Sequence, residues 1–105
     1  MKKTNKLIFL GAKTSLLPAE VTHLEAEINY TKVYTANGQN LVLSSTMKSV
    51  MECLQEHGDF IRISRKHVVN MEFVKSTRKD SLTLINGLKL NPSRRKRRQL
   101  NHLFS

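Results

Sequence analysis

The stretch FIRISRKHVVN, residues 60–70, places a run of polar and cationic residues between two apolar, β-branched segments. Ile61 and Ile63 alternate with polar neighbours, which is the period of a half-buried strand. The segment 67–71 has the same β-branched character and predicts the next strand. Residues 64–67 then form the junction between the two strands. The pattern therefore predicts a strand pair whose junction presents cations at the rim of a sheet.

Strand signals also fill the sequence before this stretch, at residues 7–12, 21–28, 30–35 and 41–44. The turn NGQN, residues 37–40, joins the last two into a hairpin. In the 21–28 strand, apolar positions 24, 26 and 28 alternate with Glu25 and Glu27, so the acids are expected to face outward. The first part of the chain is therefore expected to be mostly sheet.

The hydrophobic period changes at residues 45–58, where Met47, Val50, Met51 and Leu54 recur at helical spacing. Ser45 or Thr46 can cap the start and a glycine follows the end, so an amphipathic helix is predicted. Its methionine-rich stripe could form a partner groove, but core packing is the favoured interpretation.

Beyond residue 71 the pattern predicts an antiparallel meander, with strands at 72–77, 81–85 and 88–90 separated by the turns RKD and NG. A short final helix follows, with Ser93 as N-cap and Leu100, Leu103 and Phe104 as its apolar side. The expected fold class is mainly β (α+β), with small antiparallel sheets and two short α-helices.

The length of the chain limits the number of domains, and the distribution of charge indicates the class of partner. The 105 residues fit a single domain, 1–105. Residues 1–59 carry no net charge, whereas residues 60–105 carry a net charge of +10. Such segregation points to a polyanionic partner, with nucleic acid first and an anionic membrane surface second.

The residues that catalysis or metal binding would need are scattered. The four histidines show no zinc spacing, and Cys53, the only cysteine, lies within the predicted helix. No enzyme, cofactor, metal site or small-molecule substrate is expected. The absence of a cysteine pair suggests a reducing cytoplasm, and the apolar run at 7–12 is too short for a signal peptide or a membrane span.

A second basic cluster lies in LKLNPSRRKRRQ, residues 88–99. Here too a strand ends in a Ser-Arg pair, and cations with hydroxyls and free N–H groups at a helix start suit phosphate binding. Arginine can in addition contact guanine through two hydrogen bonds in the major groove. A solvated helix face or a basic localisation-like patch is the alternative interpretation of RRKRR.

Three segments together resemble the LytTR family of bacterial DNA-binding domains. HLEAEINYTKVYT (23–35) is similar to the early strand pair of the family, FIRISRKHVVN to its central signature, and LINGLKLNPSRRKRRQL (84–100) to its closing signature. The resemblance covers nearly the whole chain. It implies an elongated arrangement of small antiparallel sheets whose loops enter successive major grooves.

The resemblance also implies the site. The base-contacting positions fall on Thr31, with the adjacent Lys32, and on Arg65 and Arg94. The phosphate-contacting positions would be Ser64, Lys66, Ser93, Arg95 and Lys96. Arg97 and Arg98 have no assigned role.

The chain departs from the family pattern at several positions. Ser64 replaces a usual His, Lys66 and His67 replace Ser and Tyr, and Ile28 replaces Gly, so the base preference of the central loop is open. Family members usually carry a receiver domain before this one. None is present in the chain, and the initial Met favours a free-standing domain over an excised one.

The resulting expectation is a transcriptional regulator that binds specific duplex DNA with repeated half-sites, acting as two copies or as a homodimer on the DNA. The first alternative is a small RNA-binding or ribosome-associated protein. The aromatic residues argue against it because they fall mainly in strand or core patterns rather than on a stacking surface. The second alternative is a membrane-surface module, for which the last helix is short.

Overall fold

The computed structural model describes residues 8–11 and 14–102. Two α-helices lie within these ranges: Met47–Leu54 (α1) and Arg94–Gln99 (α2). The strands are Ile8–Gly11 (β1), Thr14–Leu16 (β2), Val21–Ala26 (β3), Thr31–Thr35 (β4), Asn40–Leu43 (β5), Phe60–Arg62 (β6), His67–Asn70 (β7), Val74–Arg78 (β8), Ser81–Leu84 (β9) and Lys89–Leu90 (β10). The structure is therefore mainly β, as the sequence predicts.

The strands form three antiparallel sheets: β1 with β2, a five-stranded sheet in the order β5-β4-β3-β7-β6, and a three-stranded sheet in the order β10-β9-β8. In the five-stranded sheet, β3 is central, and its Leu24 is paired with Val33 of β4 and Val68 of β7. The predicted β4–β5 hairpin is confirmed, and the two strands predicted on either side of the 64–67 junction, β6 and β7, also pair antiparallel. The predicted Asn-Gly turns are confirmed as well, and their Gly38 and Gly87 have the positive φ that such turns favour.

One face of the five-stranded sheet packs against α1. The apolar stripe of the helix, Met47, Val50 and Leu54, is buried against strand residues that include Leu24 and Val33. Thr46 caps the helix, since its side chain accepts from the Ser49 N–H. The predicted amphipathic helix is thus confirmed, and Met47, at the start of its apolar stripe, is a core residue.

The opposite face packs against the three-stranded sheet near the β6–β7 hairpin. Val69 of β7 and Ile63 share a second core with Leu82, Leu84 and Leu90. Leu100, which caps the C-terminus of α2, packs against this core and holds the end of the basic helix to it. The hairpin therefore lies between two cores that fix its position.

Two boundary predictions are corrected. Strand β3 ends at Ala26, and Ile28 is 96% exposed in the turn that follows, so it does not continue the inward-facing series. Residues Met71–Phe73 form a 3-10 turn because the Asn70 side chain caps it by accepting from the Glu72 N–H. The predicted apolar contacts of Leu103 and Phe104, and residues 1–7, lie outside the described residues.

Candidate nucleic-acid interface

The loop between β6 and β7, residues 63–66, is a tightly hydrogen-bonded turn. The Ser64 hydroxyl oxygen accepts from the backbone N–H groups of Lys66 (3.2 Å) and His67 (3.1 Å). The N–H of Ile63 donates to the carbonyl of His67 at 3.0 Å, which closes the loop at its base. Serine favours such side-chain-to-backbone turns. Ser64 is therefore a structural element of the loop, and Arg65 and Lys66 project from it with exposed side chains.

The second basic segment begins with a capped helix. Ser93 is the N-cap of α2, and its Oγ accepts from the Lys96 N–H at 3.2 Å. The cap confirms the predicted helix start. Arg94 and Arg95 are exposed in the first turn, whereas Lys96 is half-buried.

Backbone hydrogen bonds join the predicted contact segments to one another. The Ser93 N–H donates to the Ile63 carbonyl at 2.8 Å, which ties the start of α2 to the β6–β7 loop. The Ala26 N–H donates to the Lys66 carbonyl at 2.7 Å, which ties the same loop to the end of β3, beside the β3–β4 turn. Three segments that are distant in sequence thus form one connected rim, which we call the basic rim: residues 26–32, 63–67 and 93–96.

Arg65 and Arg94 are the accessible arginines of the basic rim at predicted base-contacting positions. Both side chains are exposed, and within residues 14–102 neither is in an ion pair with a carboxylate. Two cations held by backbone at fixed positions and open to solvent are suited to an anionic partner with regularly spaced charges.

Thr31 is placed differently from the expectation that it contacts a base. Its side chain has no exposed surface, and its Oγ1 donates to the Ser45 carbonyl at 2.7 Å. A DNA contact would require this hydrogen bond to break. Thr31 is inaccessible to a base in this structure and anchors β4 to the β5–α1 connection.

Lys32, the next residue, points to the opposite face of β4 and is restrained by two carboxylates. Its Nζ lies 3.8 Å from an oxygen of Glu25 and 3.8 Å from an oxygen of Glu27. Tyr34 and Tyr30, followed by these carboxylates, raise the pKa of Lys32, so the amine stays charged. Its charge is therefore partly balanced within the protein, unlike the charges of Arg65 and Arg94.

Glu25 is the centre of a polar cluster on this face of the sheet. Its carboxylate accepts from the Tyr34 hydroxyl at 3.2 Å and lies 3.3 Å from Nε2 of His67. Partial desolvation opposes ionisation, but these hydrogen bonds and the charge of Lys66 lower the pKa of Glu25 overall. Glu25, which the sequence predicts to face outward, thus links β3 to β4 and to the first residue of β7.

Two aromatic side chains of the described residues are engaged within the protein, while Tyr30 and Phe73 are half-buried. Phe60 is buried in the first core, and the Tyr34 ring is stacked on His23 with ring centroids 4.3 Å apart. Sequence-specific RNA modules usually need exposed aromatic platforms. The Phe60 and Tyr34 rings are therefore not available as stacking platforms for single-stranded bases.

Two kinds of feature are absent from the described residues. No three His, Cys, Asp or Glu side chains among them cluster closely enough to hold a metal ion. None of their helices is long and apolar enough to cross a membrane.

The sequence prediction missed the residue that closes the β6–β7 loop. Arg62 donates from Nε to the Ser64 carbonyl at 3.1 Å and from Nη2 to the Arg65 carbonyl at 2.7 Å. The strand alternation marked Arg62 only as a polar position. No local signal distinguishes an arginine that binds its own loop from one that faces solvent.

Comparison with known proteins gives a consistent result. The family model of the LytTr DNA-binding domain matches residues 12–105. Among solved structures, a LytTr DNA-binding domain from Bacillus cereus superposes with a TM-score of 0.76 at 21% identity, covering 92% of this chain and 94% of that one. No curated protein matches.

Proposed function

Because the chain belongs to the LytTR family of DNA-binding domains, we propose that it regulates transcription by binding specific duplex sequences through the loops of the basic rim. In this proposal Arg65 and Arg94 contact base edges in the major groove. Lys66, Arg95 and Lys96 contact phosphates. The protein would act in the cytoplasm, as a single domain that binds repeated half-sites in two copies or as a homodimer on the DNA.

The observation that carries the proposal is the hydrogen bond from the Ser93 N–H to the Ile63 carbonyl. Base reading requires side chains at a fixed separation, since phosphate contacts set the register and base contacts then specify the sequence. A direct backbone link between the loop that bears Arg65 and the helix start that bears Arg94 provides this fixed separation.

Ser64 and Ser93 have supporting roles in the proposal. Each hydroxyl oxygen accepts from backbone N–H groups of its own segment, so each serine first shapes the rim. A hydroxyl can still donate its proton to a phosphate oxygen. Lys32 contributes to base reading only after it leaves its two carboxylates, and Thr31 supports β4 from within the core.

The test begins with selection of bound sequences from random duplex DNA, which reports the half-site and the spacing of the copies. Affinities for the selected duplex and for a shuffled duplex of equal length are then measured for the wild type and for Arg65→Ala, Arg94→Ala and Lys96→Ala. Lys75→Ala is the matched control because Lys75 is an exposed cation on β8, outside the basic rim.

We expect Arg65→Ala and Arg94→Ala to lower the ratio of specific to nonspecific affinity, since each good base contact is worth about 1–3 kcal/mol of discrimination. Lys96→Ala should weaken both affinities alike. Equal losses of specific and nonspecific affinity from all three variants would reject these roles. Failure of the wild type to prefer any duplex, or tighter binding to single-stranded RNA in competition, would reject the function.

The salt dependence gives a second test. If six to ten phosphates are neutralised, affinity should fall by about 10³ to 10⁵ between 50 and 200 mM salt, because binding releases condensed counterions. A flat response to salt would exclude a phosphate-dominated interface.

A further inference from the structure

Arg62 stands at the last position of β6, directly before the β6–β7 loop, and is paired with Val68 across the hairpin. Its guanidinium donates two hydrogen bonds, and both go to carbonyls of that loop, Ser64 O and Arg65 O. The guanidinium is a planar group with donors in a fixed fork, so two simultaneous bonds constrain the orientation of both carbonyls. Arg62 therefore determines the path of the loop backbone.

Besides the backbone bond from Ile63 N–H to the His67 carbonyl at its base, the loop is held by two sets of side-chain bonds. In the first set, the Ser64 hydroxyl oxygen accepts hydrogen bonds from the N–H groups of Lys66 and His67. In the second set, the Arg62 guanidinium donates hydrogen bonds to the carbonyls of Ser64 and Arg65. Together these bonds restrict the loop backbone at Ser64 and Arg65, and with it the direction in which the Arg65 side chain leaves the loop.

The positive charge of Arg62 adds to this effect. Hydrogen bonds from a charged donor are about twice as strong as those between neutral groups. A lysine at this position would keep the charge, but its ammonium is a point donor without the planar fork. The geometry at the loop thus depends on arginine itself and not only on a cation.

We propose that Arg62 is a positioning residue for DNA recognition, which acts by fixing the β6–β7 loop that presents Arg65 rather than by contacting DNA. The inference rests on the proposed function, since it assigns Arg62 a part in the reading of bases by Arg65. It adds a residue to the recognition machinery that binds only its own chain.

The experiment compares the wild type with Arg62→Lys and with Arg62→Met, which has a similar unbranched stem without charge or donors. Each protein is first melted thermally to establish that it is folded. Affinities are then measured for the duplex selected by the wild type and for a shuffled duplex of equal length. Backbone amide exchange at Lys66 and His67 is measured in the free proteins, because these N–H groups bind Ser64 Oγ within the loop.

For Arg62→Lys we expect the ratio of specific to nonspecific affinity to fall by about tenfold, a loss in the range of one base contact. Affinity for the shuffled duplex should stay close to that of the wild type because the charge is retained. Amide exchange at Lys66 and His67 should accelerate in both variants. Adding Arg65→Ala to Arg62→Lys should then lower the ratio little further, since both changes affect the same base contact.

Three outcomes would overturn the inference. Unchanged specificity in Arg62→Lys would show that a cation suffices, as for a direct phosphate contact. Lost specificity with unchanged amide exchange would show that Arg62 contacts a base itself. Fully additive losses with Arg65→Ala would show that the two residues act separately. A wild type without preference for any duplex would instead reject the proposed function, so the two failures are distinguishable.

Discussion

His23 provides a pH-dependent contribution to stability that can be calculated from its surroundings. The residue is 5% exposed, lies on β3 opposite Val69 of β7, and is stacked on the Tyr34 ring. The Thr22 hydroxyl donates to the Tyr34 carbonyl and therefore accepts from Nδ1 of His23, 2.9 Å away. Burial, followed by the nearby charge of His67, lowers the pKa of His23 from 6.5 to about 4, against a weaker opposing effect of Glu25.

The sign of the effect follows from the lower pKa in the folded chain. The unfolded chain binds the proton more readily, so the contribution of His23 is fully present above pH 6.5 and is lost as the pH falls toward 4. With these two pKa values, the free energy of unfolding should drop by about 2 kcal/mol between pH 7 and pH 5. The Glu25 contribution behaves differently: its pKa is lowered, so it persists above 4.5 and is lost only at lower pH.

The measurement is urea unfolding at pH 7 and at pH 5 for the wild type and for His23→Phe. Phenylalanine retains a planar ring against Tyr34 and cannot be protonated. The difference between the two proteins removes the contributions of the other titratable groups, which both share. The wild type should lose about 2 kcal/mol more than His23→Phe over this interval. Equal losses in the two proteins would refute the assignment of a buried, neutral imidazole.

Three further predictions concern single contacts. Asn70→Ala removes two hydrogen bonds of a buried side chain, and urea unfolding should show a loss of about 1–3 kcal/mol; an unchanged midpoint would contradict the buried role. Glu27→Gln removes one of the carboxylates that restrain Lys32, so affinity for a shuffled duplex should rise, whereas Glu52→Gln on the exposed face of α1 should change it less. Ser93→Ala removes the N-cap of α2, which should lower the stability of the helix start by about 1 kcal/mol and weaken binding to the selected duplex more than to a shuffled one; identical binding would exclude a role for the cap.

The sequence by itself determined most of the secondary structure and the segregation of charge. The strand alternation in FIRISRKHVVN, the helical period of α1, the Asn-Gly turns and the Ser93 cap are all local patterns. The structure confirms each of them because these preferences depend on neighbours a few residues apart. The motif order also sufficed to identify the family, which the matching family model confirms.

The tertiary structure decided which of the predicted contact residues are available. Thr31 matched the family pattern, but the fold places the Ser45 carbonyl beside its hydroxyl and buries it. Lys32 matched as well, but two carboxylates from β3 and the turn after it restrain its amine. The contact of Arg65 and Arg94 with bases remains a prediction, which is supported by the exposure of both side chains.

Only the tertiary structure shows how the recognition segments are joined. The bond from Ser93 N–H to the Ile63 carbonyl, the bond from Ala26 N–H to the Lys66 carbonyl and the closure of the loop by Arg62 depend on backbone directions at the ends of strands. A sequence pattern specifies which face of a strand a side chain occupies, but not which carbonyl lies within 3 Å of it. The sequence therefore determined where the cations lie along the chain, and the fold decided which of them form one surface, because hydrogen bonds between distant segments arise only after the sheets have packed.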